Sequence, residues 1–259
     1  MFILNMKPEQ RQQHILCQLR AIHQEWRVDE LAKALGVSSL TIRRDLDALA
    51  ATGTIVRTFG GCMAISRVQN SVYQQRIAAN FERKAAIGRA AAAEIKAGDT
   101  IIINDGSTTF HLATCMGQCG AVTVYTNSVA MINEFSRFPH VRLYLLGGEY
   151  HRELFFLGGS LMDRVLETIE ADRVFVGADA IDAQGRCLAV DQDTARTAQM
   201  MLRRGRRKIL LADDTKVRAT GRVAYGALRN FDMWITTPGA APELMKRFRK
   251  QTTIKAVPL

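Results

Sequence analysis

Apolar positions in the first sixty residues recur at helical spacing, in short blocks. Ile15, Leu16, Leu19 and Ile22 line one face of a helix predicted from Pro8 to His23, and Pro8 suits its first turn. Leu31, Ala32 and Leu35 form the inward face of a second helix that begins at Asp29, with Asp29 as cap, and stops at Gly36. Ile42, Leu46 and Leu49 make the buried stripe of a third, capped by Ser38, running to Ala51 and closed by Gly53. Thr54 to Thr58 then alternates like a strand, and Gly60-Gly61 ends it. Helix, short glycine turn, helix and β wing make up a winged helix-turn-helix.

Residues 63–80 are polar, with Ser66, Gln69, Asn70, Ser71, Gln74 and Gln75, and read as a linker. From Phe81 onward apolar strands alternate with amphipathic helices. A helix from Lys84 to Ile95 is followed by strands at Thr100–Asn104, Val122–Tyr125, Val141–Leu146, Arg173–Val176, Lys208–Ala212 and Met233–Thr236. Helices fall between and after them, among them Leu161–Ile169, Thr194–Arg203 and Glu243–Arg249. The fold class is therefore α/β: an N-terminal winged helix-turn-helix, residues 1–62, joined to a C-terminal α/β domain, residues 81–259, with a mostly parallel sheet.

A formal charge of +10 suits a polyanionic partner or anionic ligands. Only +2 of it lies in residues 1–66, so pattern, not charge, locates the DNA-binding segment. The helix from Ser38 is narrow enough for the major groove. Ser38, Ser39 and Thr41 are short donors for phosphates or bases, Arg43 and Arg44 can donate to guanine, and Arg57 in the wing can reach flanking backbone. The bland alternative is that Arg43 and Arg44 solvate a helix face beside Asp47; the preceding turn favours DNA.

In parallel sheets ligands sit at the carboxyl ends of the strands. Small and polar residues collect there: Asn104, Asp105, Gly106, Ser107, Thr108 and Thr109 after one strand; Thr126, Asn127 and Ser128 after the next; Gly147 and Gly148, then Gly177, and Lys216 after the later ones. Backbone N–H groups, hydroxyls and a lysine converging in this way would cradle an anion. Five scattered cysteines, an apolar start (Met1 to Leu4) too short for a signal peptide and no bilayer-length apolar stretch indicate a reduced, cytoplasmic protein without membrane association.

Three other constellations carry less. His111, Cys115 and Cys119 share a helical side, but Gly117 interrupts the helix and no fourth ligand is apparent, so core packing is preferred to a metal site. The run Arg203 to Lys208 is a solvated turn before a second DNA contact. Arg152 and Glu153 fit a ligand or an interface equally.

The segments Val28-Asp29-Glu30-Leu31-Ala32, Leu35-Gly36-Val37-Ser38 and Thr41-Ile42-Arg43-Arg44-Asp45-Leu46, with Gly53, Arg57 and Gly60-Gly61, resemble the DNA-binding domain of the DeoR family of bacterial regulators. Gly106 to Thr109, Thr126 to Ser128, Gly147-Gly148, Gly158, Asp172, Phe175 to Ala178 and Ala212-Asp213 with Thr215-Lys216 are similar to that family's sensor domain. The resemblance spans about residues 7–256. It implies a repressor of a carbohydrate or polyol operon, with a sensor shaped like sugar-phosphate isomerases. The partners implied are double-stranded operator DNA, a phosphorylated sugar or polyol effector, and further copies of the chain in a dimer or tetramer. No cofactor or metal is implied.

Two positions depart from the family pattern. Asn104 stands where many members carry aspartate, and Ala198 where many carry lysine, with Arg196 and Gln199 as neighbours. The rival reading is an isomerase with an accessory DNA-binding domain, using Asp105, Asp179, Asp191, Asp193 or Lys216; both departures weigh against it. A ligand-free nucleoid-type binder is a third, opposed by the polar strand ends.

Overall fold

The structure, a computed structural model, describes residues 6–21, 26–51, 55–58, 60–64, 72–217 and 219–259. The chain divides into two compact units, Met1–Phe81 and Glu82–Leu259. The expected helix end at Ile22-His23, the closing Gly53, the strand start at Thr54, the apolar start Met1 to Leu4, and linker residues Ser66 and Gln69 to Ser71 lie outside the described residues.

In the first unit, α1 (Pro8–Ala21), α2 (Val28–Leu35) and α3 (Ser39–Ala51) enclose an apolar core of Ile15, Leu19, Leu31, Leu35, Ile42, Leu46 and Leu49. Gly36 ends α2 in the left-handed region at φ 63°, where a side chain would be strained. Asp29 is not the cap of α2. The helix starts one residue earlier, the Arg27 N–H donates to the Glu30 carboxylate, and Asp29 instead accepts from the Ser39 hydroxyl at 3.0 Å, tying α2 to α3.

Gly60-Gly61 does not simply end the wing. Gly61 opens a further strand, β3 (Gly61–Ala64), which pairs antiparallel with both β2 (Ile55–Arg57) and β1 (Trp26–Arg27). The linker is correspondingly shorter than 63–80. Its start belongs to β3, and α4 (Val72–Ala78) buries Tyr73 and packs on α1.

The second unit begins in α5 (Phe81–Ala92), which carries the chain across the boundary, and is built on seven parallel strands. They are β4 (Thr100–Ile103), β5 (Val122–Thr126), β6 (Val141–Leu145), β9 (Ala171–Gly177), β12 (Gly205–Leu211), β14 (Met233–Thr236) and β15 (Thr253–Ala256). Ile101 to Ile103, Val174 to Val176 and Ile209 to Leu211 are wholly buried, as continuous apolar runs are in a sheet covered on both faces. The strand order is β15-β14-β12-β9-β4-β5-β6. The chain runs outward from β4 to β6, then returns to the other side of β4, so the order reverses between β4 and β9. That crevice is where ligands bind in such sheets.

Helices α6 (Ser107–Ala113), α7 (Ile132–Phe135), α8 (Ser160–Glu167), α9 (Gln192–Leu202) and α10 (Pro242–Phe248) connect the strands. Two small antiparallel additions were not anticipated: a hairpin of β7 (Glu149–His151) and β8 (Phe156–Gly158), and a sheet of β10 (Ala180–Ile181), β11 (Arg186–Ala189) and β13 (Val223–Ala227). No helix among the described residues is long and apolar enough to cross a membrane.

Candidate functional site

The DNA-facing candidates lie on α3 and the wing. Core contacts use Ile42, Asp45, Leu46 and Leu49, which leaves Leu40, Arg43, Arg44 and Asp47 on the opposite face. Arg43 and Arg44 are exposed, and among the described residues neither side chain is held in an ion pair. Ser38 caps the helix: its Oγ accepts from the Thr41 N–H at 3.2 Å and lies 2.9 Å from the Thr41 hydroxyl. Ser38, Ser39 and Thr41 thus each hold the turn together.

Arg57 does not stand free over flanking backbone. Its guanidinium pairs with Asp47 and donates to the Arg43 carbonyl at 3.3 Å, so wing and α3 are stapled.

Asp45 was missed as a site residue. Its side chain is only 4% exposed and meets Arg11 of α1 in a two-pronged pair, Nε to Oδ2 at 2.5 Å and Nη2 to Oδ1 at 3.2 Å. Gln12 adds a bond at 3.2 Å, and Arg11 also donates to the Met6 carbonyl at 2.9 Å. This buried pair fixes α3 against α1. Its signal in the sequence was an aspartate at a core-facing position of α3.

At the strand ends of the second unit, Asn104 ties the two sides of the β4–β9 crevice together. Its Oδ1 accepts from the Gly177 N–H at 3.1 Å and the Gly106 N–H at 3.4 Å. The Thr109 hydroxyl, fully buried, donates back into the Asn104-to-Gly106 turn. An amide does this without adding a charge beside Asp105.

Asp105 is buried, and desolvation pushes its carboxyl up to about 6. The Asn127 side chain opposes the shift by donating at 3.0 Å, while the nearby Asp179 and Asp191 carboxylates add to it. Asn127 also donates to the Leu157 carbonyl at 3.3 Å, which uses both N–H groups and leaves Oδ1 buried with no partner among the described residues. The Ser128 Oγ and one oxygen of Asp213, after β12, are likewise buried and without a partner among the described residues. Buried polar groups are ordinarily satisfied, so such atoms at strand ends mark a place where a ligand or water completes the bonding.

The other predicted positions fall in the turns and helix starts around these atoms. The Thr126 hydroxyl accepts from the Ser128 N–H at 3.1 Å. Gly148, at φ 137°, passes so near β8 that an added Cβ would lie 2.1 Å from the Gly158 carbonyl oxygen. Gly147 precedes it at the sheet's outer edge, beyond β6. Ser107 and Thr108 open α6, where the first N–H groups have no intrahelical partner. Lys216 is half-buried in the single turn after β12. That turn is shaped by Asp213, which accepts from the Thr215 N–H at 3.0 Å. Tyr225 of β13 was also missed: its buried hydroxyl donates to the Gly177 carbonyl at 2.6 Å and pins the end of β9. Nothing in the polar stretch after β12 announced it.

Ala198 is buried on the core face of α9, while Arg196 pairs with Asp163 at 2.6 Å. Arg152 and Glu153 are exposed in the turn between β7 and β8. In the basic run, Arg204 donates to the Glu167 carbonyl at 3.2 Å and Arg207 pairs with Glu94 at 3.1 Å. His111 is buried in α6, and the Cys119 thiol lies 3.9 Å from the Met116 sulfur. No group of three or more metal-ligating side chains occurs among the described residues.

Two family descriptions match the chain: a DeoR-like helix-turn-helix domain over residues 11–68 and a DeoR C terminal sensor domain over residues 79–237. The HTH-type transcriptional repressor GlcR of Bacillus subtilis is 33% identical over 218 residues, 83% of each chain. The lactose phosphotransferase system repressor of Lactococcus lactis is 30% identical, covering 88% of this chain and 90% of that one. A ribose 5-phosphate isomerase from Methanocaldococcus jannaschii overlays 54% of this chain and 55% of its own at 15% identity, with a TM-score of 0.40, too slight a likeness to argue from.

Proposed function

Because the chain belongs to the DeoR family of DNA-binding transcriptional regulators, we propose that it represses a carbohydrate or polyol operon and releases its operator on binding a phosphorylated sugar or polyol. It is a regulator and not an enzyme, as its relatives are named.

The observation that carries the sensing half is the set of buried, unpartnered polar atoms of Asn127, Ser128 and Asp213 at the strand ends. With the carboxyl of Asp105 they are suited to ligand hydroxyls. The N–H groups of Ser107 and Thr108 and the ammonium of Lys216 are suited to a phosphate. The carrying feature of the DNA half is the outward, exposed Arg43–Arg44 face of α3, which no ion pair holds among the described residues. Ser38, Ser39, Thr41 and Arg57 shape that face, and Arg57 reaches a phosphate only by leaving Asp47.

A homo-oligomer supplies the paired recognition helices that paired half-sites require. Such a regulator works in the cytoplasm, where its DNA and effector are. Effector binding shifts the protein only if it prefers one arrangement of the chain over the other.

The test is a gel shift at fixed salt on the DNA upstream of the protein's own gene, with and without a panel of sugar and polyol phosphates. Specific binding released by one compound is expected. Binding that no compound alters refutes the sensing half. Absence of specific binding to that DNA and to duplexes selected from a random pool refutes the DNA half.

A further inference from the structure

Leu40 stands out on α3. It is 60% exposed, the largest exposure of a large apolar side chain in the first unit among the described residues. A single exposed leucine needs no explanation by itself. Its position does: it sits one turn before Arg43 and Arg44, at i+3 and i+4, on the outward face and away from Ile42, Leu46 and Leu49. Its neighbours Ser38, Ser39 and Thr41 spend their hydroxyls on the cap and on Asp29. The leading turn of the helix therefore offers the groove one apolar group and few uncommitted donors.

The major groove holds one apolar feature, the C5-methyl group of thymine. We propose that Leu40 is a specificity-determining residue that packs on a thymine methyl in each operator half-site, selecting thymine at a step beside the bases reached by Arg43 and Arg44. This rests on the reading of α3 as the DNA-facing helix. Both groups leave water only in the complex, so the preference arises on binding and involves no hydrogen bond.

The experiment uses the full chain and a duplex it selects from a random-sequence pool. Each thymine of the selected site is replaced in turn by deoxyuridine, which removes only the methyl group, and the dissociation constants are compared. One position per half-site is expected to weaken wild-type binding about fourfold, the value of one buried methyl group. Leu40→Ala should be indifferent to that replacement, and Leu40→Met should remain sensitive. Leu40 is exposed, so neither variant threatens the fold. If no deoxyuridine position matters, or if Leu40→Ala keeps the wild-type sensitivity, the assignment is overturned while the DNA reading stands. If no duplex is selected at all, both fall together.

Discussion

Replacing Asp45 with asparagine should loosen the DNA-binding unit without touching any DNA-facing group. Asp45 and Arg11 are 4% and 10% exposed at the side chain, so solvent screens the pair little. The asparagine keeps the volume and one acceptor but leaves the guanidinium buried without its counter-charge. Breaking a buried pair on one side costs about 3–5 kcal/mol. A small domain has only about 5–15 kcal/mol to lose, and a unit this small sits at the low end. Hydrogen exchange should show the cost locally. Amides of Ile15 to Leu19 and Ile42 to Leu49 exchange faster by roughly two to three and a half orders of magnitude, at about 1.4 kcal/mol per tenfold, while Ile101 to Ile103 keep wild-type protection. Removing both charges, as Arg11→Met with Asp45→Leu, should recover most of the loss, because an apolar pair of similar volume substitutes for a buried ion pair at little or no cost. A cost below about 1 kcal/mol for Asp45→Asn, or a double variant as weak as the single one, would refute the reasoning.

Arg44→Ala should weaken specific DNA binding by about 1–3 kcal/mol while leaving thermal stability unchanged; unchanged affinity in a gel shift would show that the helix is oriented otherwise. Lys216→Met and Ser128→Ala should each blunt release by the effector yet leave operator affinity in its absence as in wild type; loss of folding by circular dichroism would mark those residues as structural instead. Asp105 binds its proton more tightly folded than unfolded. The folded protein therefore carries the extra proton between about pH 4 and pH 6, and stability falls as pH rises through that window. Asp105→Asn should remove the fall, which is on the order of 3 kcal/mol in the sensor unit, and urea melts at pH 4.5 and pH 8 would show wild type and variant equally pH-dependent if the idea is wrong.

The parallel sheet was legible because Ile101 to Ile103 or Ile209 to Leu211 can be satisfied only between two helical layers, and such runs announce themselves by composition alone. The candidate site could be outlined for a related reason: strand ends are where apolar runs stop, so Asp105, Asn127 and Lys216 fell at recognisable breaks. What each residue does there was not legible. Thr109 and Thr126 look like ligand groups by type but hydrogen-bond within the turns they sit in, and the Asn104 side-chain oxygen reaches across to the Gly177 N–H. That depends on which backbone N–H lies within reach, a long-range fact. Gly148, read as part of the anion cradle, also makes a close approach to Gly158, ten residues on, which no local pattern shows. The small sheet of β10, β11 and β13 escaped notice because its strands are short and β13 joins β11 across more than thirty residues of intervening chain. Asp45 was overlooked because two arginines beside it drew the functional reading, although its place in the core stripe pointed inward.

The chain carries two tryptophans, and each unit holds one. Trp26 is half-buried in β1, while Trp234 is wholly enclosed, its indole N–H donating to the Ala212 carbonyl at 2.8 Å and its ring edge-on to Phe248. The protein is thus furnished with a separate native fluorophore for each half of its proposed switch. A collisional quencher in the solvent will meet Trp26 readily and Trp234 only after the sensor opens. The quenched and unquenched fractions of one emission spectrum will then report the two units independently, with no label attached to either.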